Sequence, residues 1–325
     1  MKDFNIFKLN MLAMPLFDAH FGGLFFAMKY RKEPLSINNQ VVKLKSKGLN
    51  FPNTAFARRF LQNINYYRLS CYFIPFYKKR TKKFLNKTTF EQIASLYNLD
   101  SELRSLLFNS IQQIEIAIRS RIINKYSNQY GAHWYLNSKL FKDFNDYSSF
   151  QVKTLKVISD NQKKEKFINH YMTKYDDPPT PANWMIIELL TLGQLSQLYK
   201  SLRNDGTKKD IAKDFGITEL VLESWLHNIN YIRNICAHHI RLWNRDIRIS
   251  PKNPKRVEFQ FLNNTHGFRH DKIYFSISIM IYLLKRIALG DSEINSIIKY
   301  IDSCSFQERK SMGFPDNYKT EPLWN

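Results

Sequence analysis

The chain has 325 residues, of which 44% are hydrophobic and 15% aromatic, enough to bury the core of one large domain or two small ones. Its 49 Lys and Arg residues outnumber its 28 Asp and Glu residues, giving a net charge of +21. Such an excess calls for a polyanionic partner, which leaves RNA, DNA and an anionic membrane surface. Three widely separated cysteines without CxxC spacing exclude a disulfide framework and indicate a reducing cytoplasm.

Residues 1–27 are the first segment that needs an interpretation. Most of the stretch from Leu9 to Met28 is apolar, but Asp18 and His20 interrupt it and no small-x-small cleavage site follows. We expect residues 1–27 to be a non-core extension or a mis-assigned start, with Met28 as the true start. The longest apolar stretch, from Ile273 to Leu284, is too short to span a bilayer, so no stable membrane insertion is expected.

The next residues predict helices, because only 10 glycines and 11 prolines punctuate the whole chain. Ser36 is placed to cap a first helix that Gly48 ends, and residues 51–53 open a second. The clearest long helix covers about 101–125, with apolar residues at a 3.6-residue period. Gly131 then breaks the chain.

The second half of the chain continues this helical pattern. After the proline-rich turn at 176–181, one helix is predicted over 184–198, loosened at Gly193. Residues 218–245 predict one long helix or two in tandem. A last pair covers 271–289 and 292–304, with Asp291 or Ser292 as the cap of the second. We therefore predict an all-α fold, with a helical domain over 28–250 and a helical appendage, 251–325, packed on it.

The most informative residues lie in the predicted helix over 218–245: Arg233 and Asn234, followed by His238 and His239. Cleaving RNA without a metal requires a base for the 2′-hydroxyl, an acid for the leaving 5′-oxygen and a cation for the phosphorane. We assign His238 as general base or acid, Arg233 as the group that stabilises charge, and Asn234 as the positioning group. His239 is an alternative second acid–base group.

Helical geometry limits what one copy of this motif does. Residues five positions apart on an ideal helix point about 140° apart, so Arg233 and His238 do not share a face. Asn234 and His238 do share one, and His239 is expected about 100° further round. One chain therefore makes a poor active site unless the histidine lies at a frayed or kinked helix end.

The motif resembles the Arg–(four to six residues)–His signature of HEPN ribonucleases, and more narrowly the Abi-D/Abi-F abortive-infection family. The narrower resemblance spans about 37–250 and rests on five blocks in order, at 64–70, 103–107, 114–120, 184–193 and 233–245. It implies a HEPN-like helical bundle with additional N- and C-terminal helices, and an endoribonuclease acting in phage defence or as a toxin. In HEPN ribonucleases two copies of the motif meet across a dimer interface, so the resemblance also implies a homodimer. A small-RNA or protein antitoxin is a further expected partner.

Other side chains carry weaker predictions. Glu115 and Arg119, one turn apart, are candidates for catalytic support or for a structural ion pair. Three arginines after the motif are predicted to hold RNA phosphates, with a solvated basic helix face as the alternative: Arg241, Arg245 and Arg248. Trp243 is a candidate for base stacking or for the core.

No metal site and no cofactor is predicted, because neither a metal-ligand cluster nor a glycine-rich phosphate loop stands out. The sequence thus predicts a cytoplasmic, metal-independent endoribonuclease of abortive-infection type that binds RNA. The alternative function is a non-catalytic RNA-binding or phage-sensing module on the same scaffold.

Overall fold

The computed structural model describes residues 32–263, 267–287 and 290–324, so the predicted extension at 1–27 lies outside the described residues. Within these ranges the chain forms thirteen α-helices and no β-strand, which confirms the all-α prediction. In chain order the helices are α1 (Ile37–Ser46), α2 (Thr54–Asn63), α3 (Tyr66–Ser70), α4 (Phe90–Tyr130), α5 (Phe144–Asn161), α6 (Lys166–Lys174), α7 (Asn183–Glu188), α8 (Leu192–Ser201), α9 (Gly206–Lys213), α10 (Glu219–Ala237), α11 (Ile273–Leu284), α12 (Asp291–Ser303) and α13 (Phe306–Ser311).

Helix α4 is the axis of the fold and is longer than predicted. It begins at Phe90, where Thr89 and Gln92 form a capping box, and it ends before Gly131 at a φ of 85°. The apolar period predicted a start at about 101, with Ser101 and Arg104 in the first turn, so the first eleven residues of the helix were missed. Asp100 and Arg104 are buried and paired with each other, so the buried face of the helix continues through a polar stretch.

The other helices pack around α4. Helices α7 to α12 each contact it, and α10 also packs against α8, α9 and α11. Every residue of α11 is buried, which makes this C-terminal helix part of the central core. No helix in the described ranges is long and apolar enough to cross a membrane.

Several predicted helix ends are confirmed in the first part of the chain. Ser36 accepts a hydrogen bond from the Asn39 N–H at 3.3 Å, and α1 ends before Gly48, which has a φ of 87°. Asn53 caps α2 by accepting from the Phe56 N–H at 2.9 Å. At these positions the residues next to the helix end were sufficient to predict where the helix begins or ends.

Three predicted boundaries are wrong. The helix predicted over 184–198 is two helices, because Thr191 starts α8 with its own capping box, ahead of Gly193. The helix predicted over 218–245 ends at Ala237. Helix α11 covers less than 271–289, and α12 follows Gly290 without a side-chain cap from Asp291 or Ser292.

Candidate functional site

The motif lies where α10 ends. The helix stops at Ala237, and the His239 N–H donates to the Cys236 carbonyl at 3.0 Å while the Ile240 N–H donates to the Ile235 carbonyl at 2.9 Å. These two bonds form a Schellman turn, in which the residue after the cap takes a left-handed conformation. His239 holds that position with a φ of 53°. His239 therefore does not continue the helical spacing, and the prediction that it points 100° beyond His238 is wrong.

The three residues assigned to catalysis reach the protein surface at this end. Asn234 and His238 are exposed and Arg233 is half-buried. The Arg233 guanidinium donates to Asn234 Oδ1 at 3.4 Å and lies 5.9 Å from the centre of the Phe108 ring. The His238 N–H still bonds to the Asn234 carbonyl at 3.1 Å, so His238 completes the last turn and the wide angle between it and Arg233 remains.

A buried carboxylate fixes the backbone that follows the motif. Asp100, which is fully buried in α4, accepts hydrogen bonds from the Leu242 N–H at 3.1 Å and the Trp243 N–H at 2.6 Å. It also accepts from the Tyr72 hydroxyl and forms an ion pair with Arg104. Burial raises the pKa of Asp100 above its usual value, while Arg104 and the hydrogen bonds favour the charged form. These contacts tie the turn after α10 to the middle of the core.

A second contact holds the same turn from the outside. Arg68, in α3, donates from its guanidinium to the backbone carbonyl of His239. Arg68 belongs to one of the five blocks on which the family resemblance rests, and the structure brings that block to the motif. The turn is therefore held on one side by Asp100 and on the other by Arg68.

A cavity of about 360 Å³ opens between α4 and the end of α10. Arg104, Phe108 and Asn109 form part of its α4 wall, and Cys236 and His239 face them. Burial raises the pKa of the Cys236 thiol to about 12, so the thiol stays protonated near neutral pH and is no nucleophile.

Glu115 and Arg119 lie elsewhere on α4. They pair at 2.8 Å, and Arg119 also donates to the Leu190 carbonyl at 2.7 Å, just after α7. Arg119 is roughly 16 Å along the helix from Phe108, the residue that contacts Arg233. The pair with Glu115 lies within α4, and Arg119 joins α4 to the end of α7 through the Leu190 carbonyl and through Glu188 at 3.8 Å.

The three arginines after the motif do not form a helical stripe, because 238–250 is irregular. Arg241 and Arg245 are half-buried and each donates to a nearby backbone carbonyl at 3.4 Å, whereas Arg248 is exposed. Trp243 is buried, and its indole N–H donates to the Glu308 carbonyl at 3.3 Å, which places its ring in the core.

Sequence reasoning missed Asp100 and Arg104 as parts of this site. A carboxylate and a guanidinium four residues apart are common on solvated helix faces, so their spacing did not mark them. The only sign of them in the sequence is that they interrupt the 3.6-residue apolar period of α4. In the described part of the chain no group of three or more His, Cys, Asp or Glu side chains is arranged to hold a metal ion.

The fold and the site define an all-helical protein whose one Arg–His motif lies at an exposed helix end, anchored by a buried ion pair. A model of the family described as Abi-like protein matches residues 59–244, more than half of the chain. The chain therefore belongs to the Abi-like protein family. No curated protein and no solved structure matched the chain.

Proposed function

We propose that the protein is a metal-independent endoribonuclease of the abortive-infection type. One imidazole takes the proton of a ribose 2′-hydroxyl, and the resulting oxygen attacks the adjacent phosphorus. The P–O5′ bond breaks, the 5′-oxygen receives a proton from the acid group, and the products are a 2′,3′-cyclic phosphate and a 5′-hydroxyl. Arg233 stabilises the negative phosphorane and Asn234 positions the phosphate or the His238 ring.

The observation that carries this proposal is the anchored, exposed end of α10. Asn234 and His238 are open to solvent, Arg233 lies beside them, and the backbone that follows is fixed by Asp100. Preorganised groups of this kind favour acid–base chemistry, because little reorganisation is needed when charge develops. Membership of the Abi-like family supports the abortive-infection role. Three arginines near the motif supply cations for the RNA backbone: Arg241, Arg245 and Arg248.

The proposed active form is a homodimer. Arg233 and His238 point about 140° apart around the helix, so one motif does not direct both side chains at one phosphate. Two apolar side chains flank the motif on the surface, Tyr67 beside Arg68 at 83% exposure and Ile240 beside His239 at 41%. Burying them against a second copy removes apolar area from water and brings a second motif to the first.

The direct test uses purified protein and total RNA in buffer containing EDTA. The proposal expects cleavage products with 2′,3′-cyclic phosphate ends, without added metal. A requirement for Mg²⁺, or 3′-hydroxyl ends, contradicts it. Tight RNA binding without any cleavage supports instead the alternative of a non-catalytic RNA-binding or phage-sensing module.

A further inference from the structure

A second concave site lies between α8 and α10, away from the cavity beside the motif. This groove has a volume of about 380 Å³ and is lined by residues of α8, of α10 and of the segment after the motif. Gly193, in the first turn of α8, lies so close to α10 that a Cβ on it would be 3.2 Å from Asn230 Oδ1. The small residue thus leaves room at this end of the groove, where the polar Asn230 side chain lies.

Two lysines provide the positive charge of the groove. Lys200 comes from the last turn of α8 and Lys252 from the irregular segment, and neither is in an ion pair among the described residues. The backbone of Lys252 is fastened to α10, because its N–H donates to Ser224 Oγ at 2.8 Å and its carbonyl accepts from the Trp225 indole at 2.9 Å. Lys252 is therefore held beside the groove by a fixed backbone.

The one carboxylate that lines the groove, Glu223, forms ion pairs with lysines outside the groove. Glu223 pairs with the fully buried Lys208 and also with Lys142 at 3.2 Å. Neither of these two lysines lines the groove. The negative charge of Glu223 is thus balanced by the protein itself, and Lys200 and Lys252 remain available for an anion.

The face of α10 that lines the groove leads toward the motif. At 100° per residue, the positions of Glu223, His227, Asn230, Asn234 and His238 fall within about 80° of one another. His227, in the groove, and His238, at the motif, are roughly 16 Å apart along the helix. A chain of phosphates that reaches His238 is therefore aligned with the groove.

We propose that this groove binds the RNA strand that flanks the cleaved phosphodiester, with Lys200 and Lys252 holding its phosphates. The inference rests on the proposed function for the position of the cleaved bond, and it extends the RNA site well beyond the motif. His227 and Asn230 supply hydrogen bonds to the same strand. Single-stranded nucleic acid is commonly bound in this way, by a positively charged groove that follows the backbone.

The test measures binding of a single-stranded 2′-O-methyl oligoribonucleotide, which has no free 2′-hydroxyl and is not cleaved. We expect a Lys200→Gln/Lys252→Gln protein to bind it more weakly. Since each single-strand phosphate contact contributes about 0.7 to the slope of log affinity against log salt, the slope should fall by about 1.4. A Lys163→Gln/Lys164→Gln protein, altered at exposed lysines after α5, is the control with the same charge change and should keep the wild-type slope.

A steric variant gives a second measurement without a change of charge. Gly193→Gln places a side chain against Asn230 at one end of the groove and should weaken oligonucleotide binding while the thermal melting temperature stays close to wild type. Wild-type affinity and slope in the double lysine variant overturn the inference. ATP binding is measured on the same proteins. If the double lysine variant loses ATP binding but keeps oligonucleotide binding, the groove binds a free nucleotide and the inference is also overturned. A wild-type protein that binds RNA through the groove but never cleaves it overturns the proposed function and leaves the groove intact.

Discussion

At the scale of single residues, the proposed chemistry depends on two side chains at the end of α10. We expect His238→Ala and Arg233→Ala each to lower RNA cleavage by about 10²–10⁴-fold, because one positioned acid–base or charge-stabilising group contributes on that order. Neither residue is buried, so the folded state should survive both changes. The measurement is the initial rate of cleavage in EDTA, with circular dichroism to verify folding.

Two substitutions of the same residue types serve as controls. His170→Ala and Arg203→Ala remove an exposed imidazole and an exposed guanidinium from other helices or loops. They should leave the cleavage rate near that of the wild type. A His238→Ala protein that cuts RNA at the wild-type rate contradicts the assignment of the general acid or base.

His239 lies after the end of α10, in the left-handed position of the turn, with a φ of 53°. A non-glycine residue in the left-handed region is strained by roughly 1–2 kcal/mol, and glycine relieves that strain at some cost in the unfolded chain. We therefore expect His239→Gly to raise the free energy of unfolding by up to about 1 kcal/mol, measured by urea denaturation. Cleavage should fall far less than in His238→Ala. A loss as large as that of His238→Ala would identify His239 as the second acid–base group.

At the scale of the elements, the connection between α4 and the turn after α10 decides the geometry of the site. Asp100→Asn leaves the Arg104 charge buried and unpaired, which costs on the order of 3–5 kcal/mol. We expect lower stability in urea. We also expect faster hydrogen exchange at the Leu242 and Trp243 amides, whose N–H groups donate hydrogen bonds to Asp100 in the wild type. Adding Arg104→Met should restore part of the stability, because no unpaired charge then remains. If the double variant is as unstable as Asp100→Asn, the ion pair is not the cause.

The same elements show how far sequence reasoning reached. Helices whose ends depend on local caps, such as α1 with Ser36 and α2 with Asn53, were predictable from neighbouring residues. The end of α10 was not predictable in this way. The turn that follows it contacts Asp100 and Arg68, which lie more than a hundred residues away in the chain. The start of α4 was missed although its capping box, formed by Thr89 and Gln92, is a local signal.

The candidate site was predictable only in part. The motif residues Arg233, Asn234 and His238 were found by their spacing and lie together at an exposed helix end. The polar groove between α8 and α10 was not found, since its lysines, Lys200 and Lys252, come from segments that only the fold brings together. A pattern along one helix reveals a motif, but it does not reveal which other helix faces it.

At the scale of the whole molecule, the proposed dimer is the feature most open to test. Tyr67→Asp places a charge on the exposed aromatic side chain beside the motif, and we expect it to shift the protein from dimer to monomer in analytical ultracentrifugation. RNA cleavage should be lost together with the dimer, because each site would need two motifs. Val152→Asp is the matched control, since Val152 is also exposed, at 65%, but lies on α5 and lines neither the groove nor the cavity beside the motif. A monomeric Tyr67→Asp protein with full activity contradicts the shared site.

The burial of α11 has a consequence for how the protein is made. The ribosome adds Arg233 and His238 to the chain before it makes α11. It also adds them before Glu308, whose carbonyl accepts a hydrogen bond from the Trp243 indole. Near the end of the described chain, Trp324 still stacks on Tyr274 of α11 at a ring distance of 5.8 Å. A nascent chain therefore contains every motif residue before the buried helix α11 is available to complete the hydrophobic core. Under the proposed function, we expect harmful cleavage to begin only after α11 and the residues through Trp324 have been made, and a product interrupted before α11 to be inert.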